Sequence, residues 1–144
     1  MIDRARIAAL IPHAGKMCLL ERVVQWDAES ILCTADSHHD PQNPLAYDGQ
    51  LSSACGVEYA AQAMALHGAL VGANVGQPRM GYLASVRALT LDVARLDDVT
   101  AELVIEVVRI AGNGNHMSYR FTISAAANIL LYGRAAVVLD AIHL

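Results

Sequence analysis

The chain has 144 residues, which is the length of one domain, so we expect a single domain over residues 1–144 and exclude a multidomain protein. Apolar residues make up 55% of the sequence and charged residues 17%, and this balance excludes intrinsic disorder. The formal net charge is -4, and the cations are scattered along the chain, so the sequence contains no basic stripe for nucleic acid. Because a domain of this size cannot bury so much apolar surface alone, the composition predicts a buried subunit interface or an apolar ligand channel.

Three cysteines, Cys18, Cys33 and Cys55, stand in apolar surroundings without the paired spacing of a disulfide framework or a zinc site. They favour a reducing compartment, and the apolar stretch over residues 7–11 is too short for a signal peptide, so we expect a cytoplasmic protein. Residues 59–78 carry no formal charge over a length that could span a membrane, but they are rich in alanine and glycine and hold polar side chains. We interpret them as part of a buried helix, and we expect no membrane association, no metal and no cofactor.

The first half of the chain predicts a short helix, a hairpin and a long loop. Residues 2–10 form the helix, which Pro12 ends. Apolar residues favour strands over 17–26 and 31–35, joined by a turn. Residues 36–50 hold two prolines, a glycine and three aspartates, which exclude any regular element. Loops of this length in compact domains are usually functional.

The second half of the chain predicts one long helix followed by strands. The helix covers residues 53–71, with a serine as its cap, and it is apolar nearly all round, so other parts of the protein must surround it. A sheet is the natural surrounding. Four further strand-like runs supply that sheet as a meander, over residues 82–93, 100–110, 117–125 and 129–138.

Glu58 is the most informative residue, because it places a carboxyl group in the second turn of an apolar helix. Burial favours the protonated form of a carboxyl group, which prepares such a group to act as a general acid or base. Gln62 lies one turn later on the same face, where its amide can orient Glu58 or hydrogen-bond a ligand carbonyl. The structural alternative is that Glu58 stands near the helix start because of the helix dipole and pairs with an arginine such as Arg87.

Other candidates surround the start of this helix. Cys55 lies on the same face as Glu58, where a thiol near a helix N-terminus can act as a nucleophile, although free cysteine among alanines more often fills space. Tyr47 belongs to a turn just before the helix that can aim backbone N–H groups at a bound carbonyl. The N–H of Gly56, in the first helical turn, is a second candidate donor for a thioester oxygen.

Histidines compete for a role beside the carboxylate. His67 follows Glu58 by nine residues, which places it on the opposite side of the helix and excludes it from the same site. His38 and His39 are adjacent in the long loop, and in an extended segment their side chains point opposite ways, so they do not chelate one ion together. In the structural interpretation they bond backbone groups of the loop, and in the functional one they are the nearest candidate bases.

The order of the elements and three motifs resemble the hotdog superfamily, in particular the 3-hydroxyacyl-(acyl carrier protein) dehydratases of fatty acid synthesis. The likeness covers nearly the whole chain and rests on Leu10-Ile-Pro-His13, Met17-Cys-Leu-Leu-Glu-Arg-Val23 and Gly56-Val-Glu58-Tyr-Ala-Ala-Gln62. It implies an α+β hotdog fold, in which a bent antiparallel sheet wraps the central helix. It also implies a dimer of two such domains side by side, with the acyl thioester site at their interface.

The sequence departs from the dehydratase pattern at the position of the family's catalytic histidine. A gapless count back from Glu58 reaches Pro44 at that position, so His38 or His39 would have to replace the missing base. The departures are themselves similar to a dehydratase-like subgroup found in bacterial aryl-polyene and related polyketide-type clusters. Members of this subgroup can pair with a second hotdog dehydratase subunit.

The resemblance implies a dehydratase that acts on acyl chains carried by the phosphopantetheine arm of an acyl carrier protein, in fatty acid or polyketide-type biosynthesis. In that reaction Glu58 donates a proton to the leaving 3-hydroxyl group and Gln62 positions it. The N–H of Gly56 polarises the thioester carbonyl, with Cys55 and Tyr47 beside the substrate. Two alternatives are a catalytically impaired accessory subunit of a dehydratase heterodimer, and a thioesterase in which Glu58 activates water. The dimer is either a homodimer or a heterodimer.

Overall fold

The computed structural model of the protein describes residues 1–11, 15–74, 79–113 and 115–141. Within these ranges the chain forms seven strands and two α-helices, which confirms the predicted α+β architecture. The bounds in chain order are β1 Ile2–Asp3, α1 Arg4–Leu10, β2 Arg22–Trp26, β3 Ser30–Ala35, α2 Gly56–Asn74, β4 Arg79–Leu91, β5 Leu103–Asn113, β6 His116–Ala125 and β7 Asn128–Ala141. The predicted helix stop at Pro12 lies outside the described residues.

All of these strands join one antiparallel sheet with the order β1-β2-β3-β5-β6-β7-β4. Strands β5, β6 and β7 form a meander, but β4 pairs with β7 and not with β5, so the prediction of a four-stranded meander is wrong. The physical reason is that α2 lies between β3 and β4 in the chain and crosses the sheet. The crossing delivers β4 to the far edge, and the last strand then pairs with it.

Helix α2 packs against strands β3 to β7, and the predicted long buried helix is confirmed. Its first predicted residues, Ser53–Cys55, form a 3-10 turn, which the Ser52 hydroxyl caps by accepting the Ala54 N–H at 3.3 Å. Several of its largest side chains are fully buried, including Tyr59, Met64 and Leu66. Among the residues that the structure describes, no helix combines the length and hydropathy needed to cross a membrane.

A close approach between α2 and the sheet depends on Gly56. A Cβ atom at this position would lie 2.7 Å from both δ-methyl carbons of Leu131 and 3.2 Å from Cδ1 of Ile123. Leu131 is fully buried in β7, so its side chain has little room to move. Gly56 therefore has a packing role at the start of the helix that its place in the sequence motif does not reveal.

The N-terminal region differs from its prediction at both ends. Residues Ile2–Asp3 pair with β2 as a short strand, and α1 begins only after Asp3, whose carboxylate caps the helix by accepting the Arg6 N–H at 3.0 Å. The predicted strand over 17–26 is regular only in β2. Its first part has no strand partner, because Met17 ends a 3-10 turn over Gly15–Met17 and the backbone of Met17 and Leu19 bonds to a side chain of α2.

Candidate functional site

The side chain of Gln62 joins Glu58 to the segment that precedes β2. Its Oε1 accepts the Leu19 N–H at 3.0 Å, and its Nε2 donates to the Met17 carbonyl oxygen at 2.7 Å. The same Nε2 lies 3.4 Å from Oε1 of Glu58, one helical turn earlier. Gln62 is fully buried, and these contacts use both its carbonyl and its amino group. Gln62 therefore contacts the half-buried Glu58 while protein groups already occupy its amide, which is not free for a ligand carbonyl.

The two loop histidines are held by backbone carbonyl groups of the segment before β5. The Nε2 atom of His38 lies 3.0 Å from the carbonyl oxygens of both Val99 and Ala101, and the Nε2 atom of His39 contacts the Val99 oxygen. The two rings lie next to each other, with their centroids 3.8 Å apart and their planes tilted by 37°. Because a carbonyl oxygen only accepts, Nε2 of His38 must carry the proton. The contacts match the structural interpretation, in which both histidines bond backbone groups.

The buried face of His38 has one unusual atom. Its Nδ1 is buried and has no hydrogen-bond partner among the described residues. Burial, with the neighbouring His39 as a second cause, lowers the pKa of His38 from its ordinary value. The neutral ring thus holds a lone pair on Nδ1, and this nitrogen is the atom through which His38 could act as a base.

A polar network that the sequence analysis missed attaches the long loop to α2. The hydroxyl oxygen of Tyr59 lies 2.8 Å from Oγ of Ser37, and Nδ2 of Asn43 donates to it at 3.1 Å. Ser37 also donates to the Leu19 carbonyl oxygen at 2.8 Å, so the network reaches the segment that Gln62 holds. Burial raises the pKa of Tyr59. The only sequence signal for this network is an asparagine between two prolines in a loop whose length is typical of functional loops.

A second set of contacts fixes the entry to α2. The Ser53 N–H donates to the Ala94 carbonyl oxygen at 3.1 Å, and the Leu51 N–H donates to the Asp97 carboxylate at 2.8 Å. Arg95 also binds this carboxylate, and its hydrogen bonds are the main reason that the pKa of Asp97 lies well below its usual range. The segment between β4 and β5 therefore holds both the start of α2 and, through its later carbonyls, the loop histidines.

The remaining predicted residues lie around the start of α2. Cys55 is half-buried with its Sγ 3.8 Å from the Leu45 carbonyl oxygen, and burial raises the pKa of its thiol, which disfavours a nucleophilic thiolate. The Gly56 N–H donates to carbonyl oxygens of its own 3-10 turn. Tyr47 is 86% exposed and closes a tight turn by exchanging backbone hydrogen bonds with Gln50. Both amides thus donate to protein carbonyl oxygens.

His67 lies in a buried cluster of its own. Its Nδ1 is 2.8 Å from the Tyr119 hydroxyl, and its Nε2 is 2.9 Å from the Asp27 carbonyl oxygen. Burial lowers the pKa of His67 and raises that of Tyr119 to about 12. Both ring nitrogens have partners, so the cluster is structural. Among the described residues no group of three or more His, Cys, Asp or Glu side chains could hold a metal ion.

A cleft of about 930 Å³ opens beside α1. It is lined by α1, by the segment from Gly15 to Cys18 and by the loop around His39, and Lys16 and Asp40 form an ion pair in it at 2.7 Å. Glu58 and Gln62 do not line this cleft.

The fold is shared with solved structures of hotdog proteins. The dehydratase heterocomplex ApeI:P from Xenorhabdus doucetiae is 22% identical over 93% of this chain and 90% of that chain, with a TM-score of 0.82. A thioesterase from Haemophilus influenzae is 12% identical over 98% of this chain and 92% of that chain, with a TM-score of 0.69. At these identities the likeness shows the fold alone, so the protein has the hotdog fold, as the sequence predicts.

The family follows from the sequence. A model of the ApeP-like dehydratases matches residues 5–141, which is nearly the whole chain. The chain therefore belongs to the ApeP-like dehydratase family, and the resemblance to hotdog dehydratases is confirmed. No curated protein sequence matches it significantly.

Proposed function

We propose that this protein is a subunit of a dehydratase that removes water from 3-hydroxyacyl thioesters carried on an acyl carrier protein. The observation that carries the proposal is the anchored pair of Glu58 and Gln62 in a chain of the ApeP-like dehydratase family. A carboxyl group held by a buried amide at the start of a central helix can deliver a proton in a defined direction. We also propose that the reaction belongs to an aryl-polyene or related polyketide-type biosynthetic pathway and that the protein is cytoplasmic.

The elimination needs an acid and a base. A base removes the proton from C2 of the acyl chain, the electron pair forms the C2–C3 double bond, and the C3–O bond breaks. Glu58 gives its proton to the departing hydroxyl group, which leaves as water. Gln62 fixes the carboxyl group through the 3.4 Å contact while its other hydrogen bonds hold it to the backbone of Met17 and Leu19.

Of the described residues, the loop histidines are poorly placed to act as the base. The Nε2 atoms of His38 and His39 both face backbone carbonyl groups, which leaves the buried Nδ1 of His38 as an inner candidate. We therefore propose that a second hotdog subunit supplies the base and that Glu58 is the contribution of this chain. The similarity to a chain of the ApeI:P heterocomplex supports such a pairing.

The edge strand β4 offers a surface for that second subunit. It pairs with β7 on one side and has no strand on its other side among the described residues. Four large apolar side chains on it are exposed, namely Tyr82, Leu83, Leu89 and Leu91. An exposed apolar edge strand is a ready template for pairing with another chain. A subunit placed there would also use the surplus of apolar residues in the composition.

The test is mass spectrometry of a short 3-hydroxyacyl thioester on its carrier protein. A hotdog protein that copurifies with this chain serves as the partner. The substrate is incubated with this protein alone, with the partner alone, and with both together. We expect the mixture to remove the mass of one water molecule and to leave the thioester intact. Release of the free acid would identify a thioesterase instead, and an unchanged substrate in all incubations would contradict the dehydratase proposal.

The assignment of the base has its own control. In the active mixture, His38→Ala should retain activity if the partner subunit supplies the base. Loss of activity in a variant that still folds and still pairs would assign the base to His38. The product analysis and this variant therefore separate the reaction type from the source of the base.

A further inference from the structure

Three arginines form a straight row across the outer face of the sheet. Arg87 of β4 is paired in register with Arg134 of β7, and Arg134 is paired with Arg120 of β6. Residues that stand opposite each other on neighbouring antiparallel strands point to the same face. All three are exposed, whereas the residues on either side of Arg134, Gly133 and Ala135, are buried. These cations are scattered along the sequence, and the fold brings them together.

The row has no counterions within the part of the chain that the structure describes. None of the three guanidinium groups forms an ion pair or hydrogen bond there, although Arg4, Lys16, Arg22 and Arg95 all do so. The nearest carboxylate in the sheet register is Glu106 of β5, which stands one row away opposite Thr122. Like charges directly opposite each other on a sheet destabilise it. The row therefore works against folding in a protein whose net charge is -4.

The side chains on both sides of the row are small or uncharged, so they leave the arginines accessible to a partner. The next row on one side holds only small side chains, Ser85, Ala136 and Ser118. The next row on the other side holds Thr90, Tyr132 and Thr122. The arginines thus rise from a surface of small and neutral side chains, and they extend inward from the edge strand. Neighbouring strands lie about 5 Å apart, so the three positive charges span about 10 Å.

We propose that the arginine row of Arg87, Arg134 and Arg120 is a docking surface for an acidic helix of a partner protein. Side chains one turn apart on a helix are separated by about 5–6 Å, which matches the spacing of the strands. Three carboxylates on successive turns of such a helix can each meet one guanidinium group, and guanidinium binds carboxylate through paired hydrogen bonds. The surface is separate from the Glu58 reaction, so it stands whether or not the proposed function holds.

The test is an NMR titration of the full chain, labelled with ¹⁵N, with a synthetic helical peptide that carries glutamates on three successive turns. The matched peptide has glutamine in their place. The protein variant is Arg134→Gln, which removes the middle charge of the row. Its control is Arg6→Gln, which removes one charge from an exposed residue of α1 outside the row.

We expect the glutamate peptide to shift the side-chain Nε–Hε resonances of Arg87, Arg120 and Arg134 and the glutamine peptide to leave them unchanged. Binding should weaken at least tenfold in Arg134→Gln and should be unchanged in Arg6→Gln. An absence of shifts with the glutamate peptide would overturn the proposal, as would equal weakening in both variants, which indicates net charge alone. Stronger shifts with anionic lipid vesicles or duplex DNA than with the peptide would also overturn it.

The stability of the variant gives a second readout. Because the row carries repelling charges, Arg134→Gln should melt at the same temperature as the wild type or higher. A lower melting temperature would mean that Arg134 stabilises the fold. That result would contradict the proposal, which takes the row to be destabilising in the absence of a partner. A melting curve in low salt shows the effect most clearly, since salt screens exposed charges.

Discussion

Gln62 and Glu58 stand one turn apart on α2, and the Nε2 atom of Gln62 lies 3.4 Å from Oε1 of Glu58. Because the same amide holds the backbone at Met17 and Leu19, the position of the carboxylate is tied to a segment far away in the sequence. A change at Gln62 should therefore affect both stability and the geometry of Glu58.

Replacing Gln62 with leucine should destabilise the fold. The substitution leaves the buried Leu19 N–H and the Met17 carbonyl oxygen without their partner, which costs about 2–6 kcal/mol at roughly 1–3 kcal/mol for each group. Urea unfolding measures the loss. The matched control is Gln42→Leu, at an exposed glutamine of the long loop whose side chain has no hydrogen-bond partner among the described residues, and its unfolding free energy should stay near that of the wild type. Equal effects of the two changes would contradict the anchoring role of Gln62.

The buried His67 should make the protein less stable in mild acid. Burial lowers its pKa below the ordinary value of 6.5, so the native state keeps the ring neutral while the unfolded state takes up a proton. Stability is therefore lost as the pH falls from 6.5 to the lowered pKa of the native state, with a slope of at most about 1.4 kcal/mol per pH unit for this group. Well above pH 6.5, where the ring is neutral in both states, this histidine contributes no pH dependence.

Urea unfolding at a series of pH values from 8 downward measures that slope. His38 has a pKa lowered in the same direction and adds to the total, so the contribution of His67 is taken from the difference between wild type and His67→Gln. The variant should show a shallower slope below pH 6.5. A slope identical to the wild type would show that His67 does not titrate differently in the two states.

Gly56→Ala should destabilise the protein because the new methyl group meets the δ-methyl carbons of Leu131 at 2.7 Å. Overpacking of this kind costs about 1–3 kcal/mol. The double variant Gly56→Ala, Leu131→Val tests the cause, since the smaller valine makes room for the methyl group. The loss in the double variant should be smaller than the sum of the two single losses, and simple additivity would point to a cause other than this contact.

Tyr59→Phe should loosen the long loop without unfolding the domain. It removes the hydroxyl that Ser37 and Asn43 share, with a cost of about 1–2 kcal/mol. Hydrogen exchange should become faster over residues 36–50. The control is Tyr132→Phe, at a half-exposed tyrosine on the outer face of the sheet, which should leave exchange in the loop unchanged. Unchanged exchange in Tyr59→Phe would exclude the network as the anchor of the loop.

The parts of the fold that could be predicted from sequence are those with a local pattern. Helix α2 is a long apolar run with a serine cap, and the strands follow runs of apolar residues between turns. The partner of β4 could not be predicted, because strand pairing depends on the path of the chain across the sheet. The row from Arg87 to Arg120 is invisible for the same reason, since it exists only through the register of three strands.

In the candidate site, too, the local features could be predicted from the sequence and those that depend on distant residues could not. The pairing of Glu58 with Gln62 could be predicted, because residues four apart on a helix share a face. The carbonyl partners of His38 could not, because Val99 and Ala101 lie 61 and 63 residues away, and a backbone acceptor can come from any residue type. The packing role of Gly56 likewise depends on Leu131 from the last strand.

The central claim is that Glu58 donates the proton that releases water. The measurement that tests it most directly is the rate of enoyl thioester formation from a 3-hydroxyacyl carrier protein by the active mixture, with Glu58→Gln in place of the wild-type chain. The control is Glu106→Gln, an exposed carboxylate on the outer face of the sheet. General acid catalysis predicts a fall of at least about 100-fold for Glu58→Gln and wild-type rates for the control. Full activity of a folded and paired Glu58→Gln variant would contradict the account.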